Sequence, residues 1–474
     1  MLSDVTSKVR TRSTCDPAQD TSSGARVGEA WPEVQCDVSS FDGGVRIRTA
    51  LQRPDRYRFW NDKICEPRIP RGAGLSYAAA SFREGGLSVE HTSFNRVLDF
   101  DSEKGIVEVE SGISLDALHK FLVSRALFLK IQPGYGRITV GGCIATDAHG
   151  KNQARDGTFI NQVAGLTLFH PAQGFIDLDD STEPDLFRLT CGGYGLTGHI
   201  IKARLRASPV PSNTVEVRIE PVTDVQSGTE QLRNLAAEMD FVYTWHDFST
   251  TGASFGKGFI CAARFVPDSR APSTPHAMEH SLSLSAASRA AWRLPLLNRW
   301  TTKLINISYP RKQMWLGARS LTTLHDALFP VHTKQLYFKL FGTAGFHEFQ
   351  AIIPIGSVSE YIEAIRDYLV RQPIAITLAS GKMFRGRREL LRFTGDGLCL
   401  ALNFPRTSES KNFLEFLDTL IVSLGGVPSI IKDSRVPHSV VEASYPEAQQ
   451  FREMLHAFDP KRWFRSELSD RLHL

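Results

Sequence analysis

"TVGGCIATDAHGKN", Thr139–Asn152, is the stretch whose reading decides the fold. Adjacent glycines, Gly141 and Gly142, follow Thr139 and Val140, and His149 and Lys151 close the segment. Paired glycines after β-branched residues let a backbone bend tightly or approach another group closely. Amides freed by such a bend favour an anion, and a histidine with a lysine suits an electron-rich ligand. The same letters also fit a hairpin turn with a solvated basic tip. The surrounding sequence has to arbitrate.

Two further glycine loops precede position 200: "RGAGLSY" from Arg71 and "CGGYGLTG" from Cys191. The second contains Gly193, Gly195 and Gly198 in the GxGxxG spacing. A dinucleotide fold needs a helix after that spacing, but "HIIKARLRA" alternates Ile201, Ala203 and Leu205 with Lys202, Arg204 and Arg206 and predicts a strand. The Rossmann reading therefore fails on context. "GASFGKG" near Lys257 misses the phosphate-loop spacing, and neither HExxH nor a GxSxG triad occurs. Three strand-abutting glycine loops converging on one ligand would supply many backbone donors, as a diphosphate cofactor requires. With no helix predicted directly after any of them, a loop-cradled cofactor fits better than NAD.

Bulk properties narrow the class. The chain has 474 residues, room for two domains, with 42% hydrophobic and 22% charged residues. A net charge of +4 does not suggest nucleic acid. Seven scattered cysteines without a CxxC pair point to neither a zinc site nor a disulfide framework, which suits a reducing cytoplasm. The first residues, "MLSDVTSKVR", lack the apolar core of a signal peptide, and no apolar run approaches the roughly 20 residues of a membrane span. Between Glu279 and Asp326 there is no acidic residue, and Arg289, Arg293, Arg299, Lys303, Arg311, Lys312 and Arg319 alternate with Trp292, Trp300 and Trp315. That mixture suits either a basic surface loop packed by its aromatics or peripheral contact with the inner face of a membrane.

Residues 1–40 lack hydrophobic period and read as a mobile arm. A cofactor domain over 41–211 then carries the strand "GIVEVE", a helix capped by Ser114 with Leu115, Leu118, Phe121 and Leu122 inward, and the strand "VAGLTLF". From 212 to 425 the strands "VEVRIE", "FICAARFV", "FQAIIP" and "LCLALNF" alternate with helices, predicting an α+β domain on an antiparallel sheet. Ser357 and Glu360 predict a capping box, and Gly425–Gly426 predict the end of a preceding helix. Residues 426–474 form a C-terminal segment returning to the cofactor domain.

The ordered series "RGAGLSY", "VEVESGISLDALH", "PGYGRITVGGCIATDAHGKN" and "LTCGGYGLTGHI" resembles the FAD-binding half of the vanillyl-alcohol-oxidase-type (PCMH-type) flavoproteins. "HGKN", "IIKDSR" and the tail "DPKRWFRSELSDRLHL" resemble, within it, the decaprenylphosphoryl-ribose 2′-oxidase family. The resemblance implies an α+β fold, a two-lobed FAD-binding domain plus a substrate domain. It places Arg71, Gly72, Ala73, Gly74, Leu75, Ser76 and Tyr77, with Gly134, Thr139, Val140, Gly141 and Gly142, around the FAD diphosphate. Thr146, Asp147, Ala148 and His149 would run beside the flavin, and Ile200 along the cofactor. Many relatives attach flavin covalently through a histidine where this chain has Leu75, so FAD is expected to be non-covalent. Lys432 matches a lysine at the flavin edge where negative charge gathers on reduction; from sequence alone an ion pair with Asp433 is the alternative.

The same resemblance places Tyr77, His149, Lys151, Trp245, Gln350, Lys382 and Asn403 around the substrate, with Gln350 and Lys382 at predicted strand ends. It implies hydride transfer from a secondary carbinol to flavin N5, with Tyr77 or Lys432 as the base. Ala401 stands where the family has a pocket cysteine, with Cys399 nearby, and Leu328 replaces an aromatic residue. The leading expectation is oxidation of the 2′-hydroxyl of a polyprenyl-phosphate-linked pentose, with a short-chain reductase partner completing epimerisation in the cell envelope. Alternatives are a soluble aldonolactone or alditol oxidase and a non-catalytic flavin-binding subunit.

Overall fold

The computed structural model describes residues 33–54, 67–266, 293–315, 319–331 and 335–474. Residues 1–32, and Arg289 and Trp292 of the basic segment, lie outside them. The end of the expected arm is ordered: Glu33–Ser39 pairs antiparallel with Arg46–Gln52 at the edge of a four-stranded sheet. Leu87–Glu90 and Arg68–Arg71 complete that sheet through parallel pairing. Arg68–Arg71 ends directly at the first glycine loop.

Val97–Asp101, Ile106–Glu110, His199–Arg206, Val163–His170 and Gly174–Leu178 form an antiparallel five-stranded sheet in that spatial order. Its alternation is as expected: Val107, Val109, Ala203 and Leu205 are buried. Glu110 departs from the pattern, buried because Arg96 reaches it at 2.9 Å. The Ser114 hydroxyl accepts from Ala117 N and caps helix Leu115–Val123, whose Leu115, Leu118 and Leu122 join this core.

One expectation is corrected here. Val140–Ala145 is a short helix capped by Thr139, so a helix does follow the second glycine loop. Its first amides are already engaged: Val140 N donates to Ile113 O, Gly141 N to Ser111 O and Gly142 N to Thr139 Oγ1. The glycines serve close approach rather than anion binding. A Cβ on Gly141 would lie 3.0 Å from Ser111 Cβ and 3.1 Å from its carbonyl oxygen. Sequence missed this because two glycines make a poor helix former, and packing against the sheet overrides that preference.

Residues beyond 212 build an eight-stranded antiparallel sheet. Its order is Arg319–Thr323, Thr214–Val222, Gly258–Phe265, Phe241–His246, Leu378–Phe384, Gly397–Pro405, Phe346–Ile353 and Val427–Pro428. Side chains alternate across a strand. Leu398, Leu400, Leu402 and Phe404 therefore share one face with Phe349, Ala351, Ile353, Ala379 and Val242, packed on helices Val225–Leu235, Val358–Arg371 and Ser408–Ser423. Each such side chain contributes about 1.5–3 kcal/mol by leaving water. Cys399, Ala401 and Asn403 necessarily point the other way.

Helix Ser408–Ser423 ends as expected, with Gly425 at φ +66°. The Ser357–Glu360 capping box does not form: Ser357 continues a preceding turn in αR geometry and makes no side-chain cap. The C-terminal helices His438–Ser444, Ala448–Phe458 and Glu467–Arg471 pack on Ile69, Ala78 and Leu196. Arg68 N donates to Trp463 O, tying the tail beside the first loop.

Candidate active site

The free face of the eight-stranded sheet and the three glycine loops enclose one cavity of about 700 Å³. From the loops come Arg71, Gly72, Ala73, Gly74, Leu75, Ser76 and Tyr77; then Gly134, Thr139, Gly141, Gly142, Thr146, Asp147, Ala148, His149 and Lys151; then Gly195, Gly198 and Ile200. From the sheet come Trp245, Gln350, Lys382, Ala401 and Asn403, and from the turn after it Lys432. Every site residue expected from sequence is thus brought together except Val140, which is fully buried in the core beneath the five-stranded sheet. As the first residue of a helix whose next two positions meet the cavity, it has to face inward. Leu328 is likewise a core residue.

The loops are shaped for close contact. Gly74 has φ +70°, and a Cβ there would collide with the Arg71 guanidinium at 2.3 Å. Asp147 adopts φ +43°, a strained region for a residue with a side chain. Its carboxylate accepts from Thr158 Oγ1 at 2.7 Å and Ile160 N at 2.9 Å and faces Arg392, which holds the turn that presents Ala148 and His149. Burial raises the Asp147 pKa despite that arginine.

Gln350 and Lys382 lie in mid-strand rather than at strand ends, on the same sheet face but on either side of strand Gly397–Pro405. The Gln350 side-chain nitrogen reaches His149 Nε2 at 3.3 Å and Cys399 Sγ at 3.1 Å. Gln350 Oε1, Asn403 Oδ1 and Ser429 Oγ are buried at the cavity wall without a hydrogen-bond partner among the described residues. Unpaired buried acceptors are costly and call for a ligand. Lys151 donates to Ala327 O and lies 5.7 Å from the Tyr243 ring centroid. Trp245 stacks on Phe259 at 5.7 Å.

Lys432 does not pair with Asp433, whose carboxylate is bound to Arg435 at 2.8 Å. Lys432 Nζ instead lies 3.3 Å from Glu348 Oε1 and 4.2 Å from the Tyr77 ring centroid. Glu348, Tyr243, Tyr337 and Ser380 are cavity residues that sequence reasoning missed. Parity could have found some of them: in "FHEFQAII", Glu348 shares a face with Gln350.

Burial, with Glu348 next to the phenol, pushes the Tyr77 pKa well above its usual 10. His149 is held well below 6.5 by burial and by Lys382 and Lys432. Lys382 is lowered from 10.5, first by burial.

The room left by the glycine loops and the Arg71 cation fit FAD. Residues 63–177 match the family described as FAD binding domain. The chain is 28% identical to decaprenylphosphoryl-beta-D-ribose oxidase of Mycolicibacterium smegmatis, over 86% of this chain and 89% of that protein. It is 26% identical to the mitochondrial L-galactono-1,4-lactone dehydrogenase of Brassica oleracea over 45% of this chain and 32% of that one. With D-lactate dehydrogenase of Anaerostipes hadrus it shares 29% identity over 40% of each. The chain is an FAD-dependent oxidoreductase of α+β fold whose residues 63–177 match the FAD binding domain family.

Proposed function

We propose that the protein oxidises the 2′-hydroxyl of a polyprenyl-phosphate-linked pentose. The observation that carries this is the composition of the wall facing the glycine loops. Gln350 Oε1 and Asn403 Oδ1 are unpaired acceptors for sugar hydroxyls, and Lys151 is a cation suited to a phosphate. Similarity to the ribose oxidase along most of both chains supports the reading.

FAD, when bound, supplies a two-electron hydride acceptor. The loop Arg71–Tyr77 and the segments Gly134–Gly142 and Thr146–His149 hold it, and Leu75 offers no atom for a covalent link. Lys432 sets a cation at the cavity wall and raises the electron affinity of the cofactor. Gln350 and Asn403 orient the carbinol. A general base works best when its pKa lies near the operating pH. Tyr77, Lys432 and Lys382 all line the cavity, and burial lowers the Lys382 pKa from its ordinary value, which favours Lys382 as the group that takes the hydroxyl proton. The keto sugar formed is then consumed by a separate reductase, completing epimerisation.

Anaerobic bleaching of the bound flavin tests the substrate class. A polyprenyl-phosphate pentose should bleach it, while free pentoses, alditols and aldonolactones should not. Equal bleaching by free alditols or aldonolactones would refute the lipid-linked substrate and make the enzyme a soluble polyol or lactone oxidase.

A further inference from the structure

Helix Arg299–Trp315 is turned inside out. At 100° per residue, Thr302, Asn306, Tyr309 and Gln313 share the face that meets the protein. Thr302 and Asn306 are buried, and Asn306 Nδ2 donates to Asp247 Oδ1 at 3.0 Å and to Ile376 O at 3.3 Å. The opposite face carries Trp300, Leu304, Ile307, Met314 and Trp315 into solvent. Trp300 is 78% exposed, Leu304 70% and Trp315 85%. An ordinary surface helix has the reverse polarity. Nearby, Leu294, Leu296, Leu321 and Leu336 are also exposed, so the patch extends beyond the helix.

Charge selects the occupant. Arg299, Lys303, Arg311 and Lys312 are all exposed on this helix, Arg319 lies just after it, and no acidic residue occurs between Glu279 and Asp326. Apolar and aromatic side chains flanked by cations match the interface of an anionic bilayer. The helix is also the roof of the active site. Ile305, Asn306 and Tyr309 line the main cavity, and an apolar recess of about 240 Å³, lined by Leu297, Leu336 and Leu340, adjoins it beneath the same helix.

We infer that helix Arg299–Trp315 is a membrane-docking element that seats the cavity mouth on an anionic lipid surface. Delivery of a lipid-linked sugar through that mouth rests on the function proposed above; the docking surface itself does not.

Flotation of the FAD-loaded protein with phosphatidylcholine vesicles, with and without phosphatidylglycerol, tests this. The wild type should float with the anionic vesicles and be released by high salt. Trp300→Ser/Leu304→Ser/Trp315→Ser should remain unbound, and Lys303→Gln/Arg311→Gln/Lys312→Gln should bind on the order of a hundredfold more weakly. None of these six side chains lines the cavity, so both variants should keep wild-type flavin content. Failure of the wild type to bind anionic vesicles would overturn the inference. So would a wild-type dimer, seen by sedimentation, that the triple apolar variant splits, because the patch would then be a self-interface. Vesicle binding by a protein whose flavin no lipid-linked sugar bleaches would uphold the surface and refute the substrate.

Discussion

Replacing Lys432 by methionine keeps side-chain length and removes one charge, and the two roles open to that charge predict different magnitudes. As a counter-ion, Lys432 faces Glu348 Oε1 at 3.3 Å. Two unit charges at that separation, in an effective dielectric of about 20, attract by about 332/(20 × 3.3), or about 5 kcal/mol. The Lys432 side chain is 30% exposed, so solvent screening reduces this ceiling toward the ~1 kcal/mol typical of water-accessible pairs. The Tyr77 ring at 4.2 Å contributes a cation–π term of similar size, about 0.5–2 kcal/mol. A purely structural lysine should therefore cost a few degrees in Tm and little else. If instead Lys432 faces charge that develops during turnover, its loss should slow flavin reduction on the order of a hundredfold or more and lower the flavin midpoint potential. FAD should stay bound, because its cradle is the glycine loops. A third signal follows from Lys382. Lys432 is one of the groups that lower the Lys382 pKa, so in Lys432→Met the acidic, ascending limb of the reduction profile should move to higher pH. Rapid-reaction reduction across pH, redox titration and thermal melting of the same variant read all three. A near-normal reduction rate and potential with a lowered Tm would refute the proposed role.

Acid precipitation should release the flavin into the supernatant, since Leu75 gives no attachment point; flavin retained in the pellet would overturn that reading. Cys399 is buried, accepts from Gln350 and has its thiol pushed up to about 11, so a turnover-dependent electrophile should leave it unmodified by mass spectrometry. A stoichiometric adduct on Cys399 would show that the strand exposes it to the cavity. His325 Nε2 donates to Asp116 Oδ1 at 2.8 Å, which raises the His325 pKa from 6.5 to about 9. A raised folded-state pKa stabilises fully below the unfolded value and is lost as pH climbs through the folded one. The Tm gap between wild type and His325→Gln should therefore be largest below about pH 6.5 and close above about pH 9. A gap unchanged across that range would refute the ion pair.

Legibility in the sequence followed the range of the forces involved. Strand alternation is local, so "GIVEVE", "HIIKARLRA" and "LCLALNF" predicted their strands, and Ser114 and Gly425 predicted helix ends. The Val140–Ala145 helix was not legible, because its stability comes from Ser111 and Ile113 on another element. Ser357 failed as a capping box for a related reason: the preceding turn fixes it in αR, where its hydroxyl cannot reach the helix amides. At the site, the glycine loops and the residues named by resemblance line one cavity from opposite sides. The pairing of Lys432 with Glu348, 84 residues away in sequence, needed the strand register.

The FAD binding domain match ends at residue 177, before any strand of the eight-stranded sheet, whereas the side chains that would touch substrate lie mostly on that sheet. The cavity is thus lined both by the stretch that matches the FAD binding domain family and by the sheet that follows it. One face of the sheet is fixed by the need to bury Leu398, Leu400, Leu402 and Phe404 against helices. The other face must hold polar groups, and Glu348, Gln350, Lys382 and Asn403 occupy it because register leaves them nowhere else to point. Relatives that align along less than half of this chain cover only part of this arrangement. A relative that aligns along 86% of it bears on the substrate wall as well. For that reason the polyprenyl-phosphate pentose, and not a free lactone, is the substrate class to test first.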